Sequence, residues 1–116
     1  MDRDLAHLQD ILDSAEYAVN YLGDRTYEQF RNDTLIQDAI VRRFAIIGEA
    51  AKRLLKSPNQ ADWEELSLID MVDTRNFLVH EYEAIDYYEV FEAIRDDLPN
   101  IISIVRERIL DIENKK

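Results

Sequence analysis

Helix-breaking residues are scarce in this chain, which contains 2 Gly and 2 Pro among its 116 residues. Between them, apolar residues recur at alternating steps of three and four, the period of an amphipathic α-helix. The first stripe of this kind runs from Leu5 to Leu22 and ends at Gly23, a residue that favours a helix C-terminus. No stretch alternates apolar and polar residues as a half-buried strand does. The sequence therefore predicts an all-α protein.

Capping patterns divide the middle of the chain. Thr26 and Gln29 form a capping-box pattern that opens a new turn of helix. A long helix is expected from residue 33 or 34 to Lys56, and Asp62 is expected to cap another that ends near residue 80. In this second helix the residues predicted to face inward are Trp63, Leu66, Ile69, Val72, Asn76 and Val79.

The C-terminal third is predicted to hold two separate helices. Asp86 can cap the first, and Pro99 suits the first turn of the second. Short loops join all the predicted helices, so the expected architecture is an antiparallel four-helix bundle with one additional short helix. The length predicts one domain over residues 1–116.

Composition excludes several classes of protein. The chain has no Cys, which excludes disulfides, thiolate metal sites and thiol nucleophiles. No apolar run approaches the roughly 18–20 residues of a membrane span, and the first residues do not resemble a signal peptide. We therefore expect a cytoplasmic protein that does not associate with membranes.

The charge is strongly acidic but unevenly distributed. The sequence contains 14 Lys and Arg and 25 Asp and Glu, so its net charge is −11. A charge of this sign argues against attraction of a nucleic acid by the overall electrostatic field of the protein. Residues 39–56 carry five cations and one carboxylate, a local charge of +4, which leaves −15 for the remainder. One basic helix thus lies in an acidic body, and the acidic surface suits a basic protein partner.

One segment, residues 75–82, combines reactive side chains: Arg75, Asn76, His80 and Tyr82. On a regular helix Arg75 and His80 lie about 140° apart around the axis, so one such helix does not bring them together. Two arrangements remain open. Either the helix unwinds near His80, or two copies of the segment face each other across a symmetric dimer.

This set of side chains suits cleavage of RNA without a metal or another cofactor. Histidine titrates near neutrality and can take the proton of a ribose 2′-hydroxyl. An arginine fork can hold the phosphate and stabilise its developing charge. His7, far from His80 along the chain, is expected to be solvent-exposed and without a role, and the two histidines make no metal site. From spacing alone, however, a His beside a Tyr at a helix end is more often a structural pair than a catalytic one, so the pattern by itself leaves the function open.

Longer motifs extend the pattern. Arg75-x4-His80-x-Tyr82 resembles the RX4HXY motif of HepT-type proteins of the HEPN superfamily. Residues 46–54 (IIGEAAKRL) resemble that family's IGEAAKRL helix, Trp63-x2-Leu66 its W-x2-I element, and residues 97–101 (DLPNI) the start of its last helix. Together the motifs cover most of residues 35–105. The chain departs from the pattern at Glu81, where the family often has Gly.

The resemblance implies a HEPN ribonuclease of the toxin–antitoxin kind, which works as a homodimer with its RNA-cleaving cleft at the interface. It implies that Arg75 and His80 are catalytic and that Asn76 helps to orient the site. Tyr82 matches the tyrosine that MntA-type minimal nucleotidyltransferase antitoxins modify with AMP. The added negative charge would silence the toxin.

Some assignments stay open at this level. Arg42, Arg43 and Arg53 on the basic helix are candidates for guiding RNA, with a plain solvated helix face as the alternative. The chain could also be a non-catalytic nucleotide-binding or partner-binding subunit of a minimal nucleotidyltransferase, or a purely structural four-helix protein. Cleavage of RNA in EDTA, lost on His80→Ala, separates the nuclease from these alternatives.

Overall fold

Six α-helices make up most of the computed structural model, which describes residues 2–115, with only the backbone described for Asp2. Their bounds are Asp2–Leu22 (α1), Tyr27–Arg31 (α2), Thr34–Leu55 (α3), Leu68–His80 (α4), Tyr87–Glu92 (α5) and Leu98–Asn114 (α6). No strand occurs in residues 2–115. The prediction of an all-α fold is confirmed.

The bundle is built around α1 and α3. α3 packs against both α1 and α4, while α6 packs against α1. The core between these helices is apolar, and its largest fully buried side chains include Leu8, Phe30, Ile40, Leu54 and Trp63. This arrangement leaves α4 at one side of the molecule, attached mainly to α3.

Side chains cap the starts of α2, α3 and α5, and for α5 the Asp86 carboxylate accepts the Tyr88 N–H (3.0 Å) and the Glu89 N–H (3.4 Å), as predicted. The Gln29 N–H donates to the Thr26 hydroxyl (3.2 Å), and the Thr26 N–H donates to the Gln29 side chain (2.9 Å), which completes the capping box of α2. The Asp33 carboxylate accepts the Ile36 N–H at 3.1 Å and caps α3. These local signals set the starts of the three helices.

The predicted helix over residues 62–80 is wrong in two respects. Residues Gln60–Leu66 form a 3₁₀-helix instead. Ser67 then interrupts the helical backbone, because it adopts the left-handed conformation with φ 52° and ψ 52°, and α4 begins only at Leu68. The inward face is also different, because Leu68, Met71 and Leu78 are buried whereas Ile69 is 64% exposed and Val79 39% exposed. The break at Ser67 lets α4 rotate independently of the turn that buries Trp63.

The prediction that two separate helices form the C-terminal third is also wrong. α5 and α6 are joined without a loop by a π-helical turn over Ala93–Asp97, in which the Leu98 N–H donates to the Ala93 carbonyl. Pro99 does lie in the first turn of α6, as predicted. Because Pro99 has no N–H to donate, the ordinary α-helical bond is lost here, and the wider turn is easily accommodated.

Candidate active site

The end of α4 carries the segment of greatest chemical interest. The Glu81 N–H donates to the Phe77 carbonyl at 2.8 Å, and Glu81 leaves the helical region with φ −120°. The helix is therefore regular through His80 and ends only afterwards, where a 3₁₀ turn over Tyr82–Ala84 follows. Unwinding before His80 is thus excluded, and within one chain Arg75 and His80 stay about 140° apart on α4.

Arg75 is half-buried and held at both ends of its guanidinium. Its Nη1 donates to the Asn76 side-chain oxygen at 3.0 Å, and its Nη2 lies 3.9 Å from a carboxylate oxygen of Glu49 on α3. The other oxygen of Glu49 lies 3.9 Å from Arg53. The Nε of Arg75 is buried and has no hydrogen-bond partner in the described part of the chain. The Asn76 and Glu49 contacts therefore hold the ends of the guanidinium, while its Nε is shielded from solvent.

Gly48 determines how closely α3 and α4 approach at this point. A Cβ atom at Gly48 would lie 2.1 Å from the Cβ of Arg75 and 2.9 Å from the Met71 carbonyl oxygen. No larger residue fits without moving α4. Sequence reasoning missed Gly48 as a positioning residue, although the glycine inside an otherwise strong helical pattern was a signal of close backbone approach.

His80 and Tyr82 both face solvent. Within residues 2–115, neither side chain is held by a hydrogen bond, an ion pair or a ring contact. Tyr82 is 65% exposed, two residues beyond His80. The imidazole and the phenol are therefore accessible to a ligand or to a second protein.

A groove between α1 and α3 gathers cations next to Arg75. Arg42, Arg53 and Arg75 line a cavity of about 470 Å³, together with His7. The cavity continues towards the start of α1 into a second one of about 780 Å³, which is lined by Arg3, Lys52 and Lys56 among others. We refer to these two cavities as the basic groove. Six Lys and Arg line it beside three carboxylates (Asp4, Asp10 and Glu49), so it carries a net positive charge in a protein of net charge −11.

Two candidate residues lie differently from their expected positions. The Arg43 guanidinium lies outside the basic groove, 4.5 Å from the centre of the Tyr17 ring and 5.8 Å from that of Tyr21. His7, expected to be fully exposed, is half-buried and lines both cavities of the basic groove. Arg42 and Arg53 thus join Arg75, whereas Arg43 does not.

The outer face of α4 is unusually apolar. Ile69 and Val79 are exposed and Val72 is half-buried, and with Asn76 they form a stripe at steps of three and four. From helical geometry, Arg75 lies about 80° to one side of the stripe centre and His80 about 60° to the other. We refer to these four residues as the α4 stripe. It is flanked by both groups that the sequence singled out.

Residues 2–115 contain neither a membrane-spanning helix nor a metal-binding cluster. No helix in this range is long and apolar enough to span a membrane. No cluster of three or more His, Asp or Glu is placed to hold a metal ion in the same range.

The fold and the segment define a class: an all-α bundle that carries a half-buried Arg75 and an exposed His80 on one helix, an arrangement consistent with HEPN-type ribonucleases. Residues 11–108 match the family model described as Ribonuclease HepT-like. The chain belongs to this family and is a ribonuclease of the HepT type.

Relatives support the same assignment. The chain is 37% identical over 101 residues to "Putative RNase MJ1380" of Methanocaldococcus jannaschii, which covers 83% of this chain and 87% of the relative. It is 32% identical to "Putative RNase MJ0125" of the same organism, with 95% and 94% covered. It is 28% identical to "Probable ribonuclease HepT" of Thermococcus cleftensis, with 82% and 86% covered. No solved structure matches the chain.

Proposed function

We propose that this protein cleaves RNA as a homodimer, with Arg75 and His80 of two facing copies of α4 around one phosphodiester. The observation that carries the proposal is the α4 stripe. An apolar surface flanked by a guanidinium and an imidazole suits a symmetric interface with a polar catalytic margin. Pairing two stripes would remove Ile69 and Val79 from water and would bring both reactive groups to the edge of the interface.

The reaction we propose is an internal transesterification. His80 removes the proton of the ribose 2′-hydroxyl, and the 2′-oxygen attacks the adjacent phosphorus. The bond from phosphorus to the 5′-oxygen breaks, and a second imidazole supplies the proton that this oxygen gains. The products are a 2′,3′-cyclic phosphate and a free 5′-hydroxyl. Arg75 stabilises the charge on the phosphate oxygens, and neither water nor a metal ion enters this step.

Asn76 acts in this proposal as a positioning residue. Its side-chain oxygen accepts the hydrogen bond from Arg75 Nη1 at 3.0 Å, which fixes one edge of the guanidinium. The N–H groups of the guanidinium that do not contact Asn76 or Glu49 are then left for the phosphate. A fixed fork loses less entropy on binding than a free side chain does.

We propose that the basic groove guides the RNA strand, with Arg42 and Arg53 binding phosphates beside the scissile one. The support is that both arginines line the same cavity as Arg75. Contacts to phosphates position a nucleic acid without reading its sequence. Arg43, which stacks on Tyr17 and Tyr21, has no place in this path.

The finer assignment is that of a toxin silenced on Tyr82 by an MntA-type nucleotidyltransferase antitoxin. Transfer of AMP would join its phosphorus to the phenolic oxygen with release of pyrophosphate from ATP. The exposure of Tyr82 and its place two residues beyond His80 support this proposal. The added negative charge beside the cleft would repel RNA and occupy Arg75.

Cleavage of RNA in the presence of EDTA tests the proposed reaction. The wild-type protein is expected to leave 2′,3′-cyclic phosphate ends. His80→Ala and Arg75→Ala are each expected to lower the rate by about 10²–10³-fold. Arg106→Ala is the matched control, because Arg106 pairs with Glu16 on the surface away from the segment. Cleavage that needs added metal, or that survives both substitutions, would contradict the proposal.

Incubation with a minimal nucleotidyltransferase and ATP tests the modification. The expected product carries AMP on Tyr82 and has lost its RNA cleavage. Tyr82→Phe is expected to remain unmodified and active, while Tyr88→Phe, which removes a phenol that is 48% exposed, serves as the control. If RNA stays intact with wild-type protein while Tyr82 is modified, the alternative of a non-catalytic partner subunit gains support.

A further inference from the structure

A slot opens between α4 and the segment formed by α5 and α6. α4 packs on α3 and makes few contacts with α5 or α6. Two adjoining cavities fill the gap, with volumes of about 540 and 370 Å³, and both are bordered by Phe44, Thr74 and Asp97. Phe77, which borders the first cavity, lies about 160° around α4 from Arg75. The slot therefore lies away from Arg75, whereas Asp73 and Phe77 on its border lie about 20° and 60° around α4 from His80.

The slot has an apolar floor and an acidic rim. Its floor includes Phe44, Phe77, Leu78 and Val90. Six carboxylates that border it form no ion pair within residues 2–115: Asp70, Asp73, Asp86, Glu89, Asp96 and Asp97. No Lys, Arg or His lines either cavity. Apolar surface framed by one sign of charge is typical of a site for an amphipathic segment of the opposite charge.

We propose that the slot binds a basic amphipathic segment of a partner protein, whose apolar side chains enter the two cavities while its Lys or Arg residues meet the rim. RNA is disfavoured here because its phosphates would face the six carboxylates. A second copy of this chain is disfavoured because its net charge is −11 and many of its cations line the concave basic groove.

The dimensions fit a helical occupant. The residues of α4 that line the slot run from Asp70 to Leu78, a length of about 12 Å, or roughly two helical turns. Cavities of this size accept several apolar side chains. The test of the proposal does not depend on RNA cleavage, because it measures the binding of a peptide to the slot.

A short helical peptide of Leu and Lys, with Leu at steps of three and four, is the probe for the slot. Its binding is measured by fluorescence anisotropy and its location by hydrogen exchange. We expect protection of the amides in residues 73–78 and 86–97. A peptide with the same Leu spacing and Glu in place of Lys is expected not to bind.

Matched charge reversals distinguish binding in the slot from a general attraction of the basic peptide to an acidic protein. The double variant Glu89→Lys with Asp97→Lys is expected to weaken binding about tenfold. Asp38→Lys with Glu113→Lys makes the same change in net charge outside the slot, so its affinity is expected to stay within about twofold. Phe77→Ala, which alters the floor without altering charge, is expected to weaken binding severalfold.

Three results would overturn the proposal. The control variant could lose as much affinity as the slot variant, which would make the binding a response to net charge alone. Protection could map to the α4 stripe or to the basic groove. Sedimentation could show that Glu89→Lys with Asp97→Lys dissociates a dimer, which would make a second copy of this chain the occupant.

Discussion

Three constraints from two helices converge on Arg75. Its backbone position depends on Gly48, one edge of its guanidinium contacts Asn76, and the other edge lies near Glu49. The side chain is thereby ordered before any ligand binds. Preorganisation of this kind raises the rate of a reaction because less freedom is lost in the transition state.

Replacing Asn76 isolates the contribution of one hydrogen bond. Asn76→Ala removes the acceptor for Arg75 Nη1, so we expect the RNA-cleavage rate to fall about tenfold while the fold is unchanged. Single-turnover kinetics and circular dichroism measure the two effects. The control is Asn100→Ala, which removes an exposed amide at the start of α6. Equal losses in both variants would show that the Arg75–Asn76 bond has no specific role.

The residues of the site could be predicted only in part from the sequence. Arg75, Asn76, His80 and Tyr82 lie close together along the chain, so a local motif identifies them. The partners of Arg75 on α3 could not be identified in this way, because their proximity depends on how α3 and α4 pack. Residues 39–56 likewise show where the cations cluster in the sequence, but not that Arg42 and Arg43 diverge around α3.

At the scale of elements, α4 shows why periodicity alone did not give the right buried face. Its sequence holds two apolar stripes, one with Met71 and Leu78 and the other with Ile69 and Val79. Either stripe could face the core if only spacing mattered. The left-handed backbone at Ser67 separates α4 from the preceding 3₁₀-helix and makes the first stripe the buried one. Tertiary packing decided this, whereas the helix starts at Thr26 and Asp33 followed local rules.

The contact of α3 with α4 predicts the effect of a single methyl group. Gly48→Ala places a Cβ 2.1 Å from the Cβ of Arg75, so α4 must move away from α3. We expect the free energy of unfolding to fall by about 1–3 kcal/mol, as for other overpacked cores. Urea denaturation measures it. RNA cleavage is expected to fall even where the protein stays folded, because Arg75 moves with α4.

Asp38→Ala is the control for this change, since residue 38 is an exposed position of the same helix. It is expected to leave both stability and cleavage nearly unchanged. An unaltered unfolding midpoint for Gly48→Ala would show that the helices separate at no cost, and that the close approach does not position Arg75.

The whole molecule combines an acidic body with one basic groove, which predicts how RNA binding depends on salt. Each phosphate of a single-stranded nucleic acid that a protein cation neutralises adds about 0.7 to the magnitude of the negative slope of log affinity against log salt. We expect Arg42→Ala and Arg53→Ala each to lower the slope by about this amount. Arg43→Ala is expected to leave it unchanged, because Arg43 stacks on Tyr17 outside the groove. A slope that falls equally for Arg43→Ala would place the RNA on another face.

Complementation between two impaired variants tests whether the active site spans two subunits. Arg75→Ala and His80→Ala are each expected to cleave RNA about 10²–10³-fold more slowly than the wild type when alone. A mixed dimer, however, holds one Arg75 and one His80 from different subunits, and water must take the place of the second imidazole as the proton donor. After mixing and exchange of subunits, we therefore expect a partial return of RNA cleavage. Adding Ile69→Glu to both chains puts charge into the α4 stripe and is expected to abolish the return, whereas Leu110→Glu, at an apolar position 56% exposed on α6, is not. If mixing restores no activity although sedimentation shows mixed dimers, both groups act within one chain and the shared site is wrong.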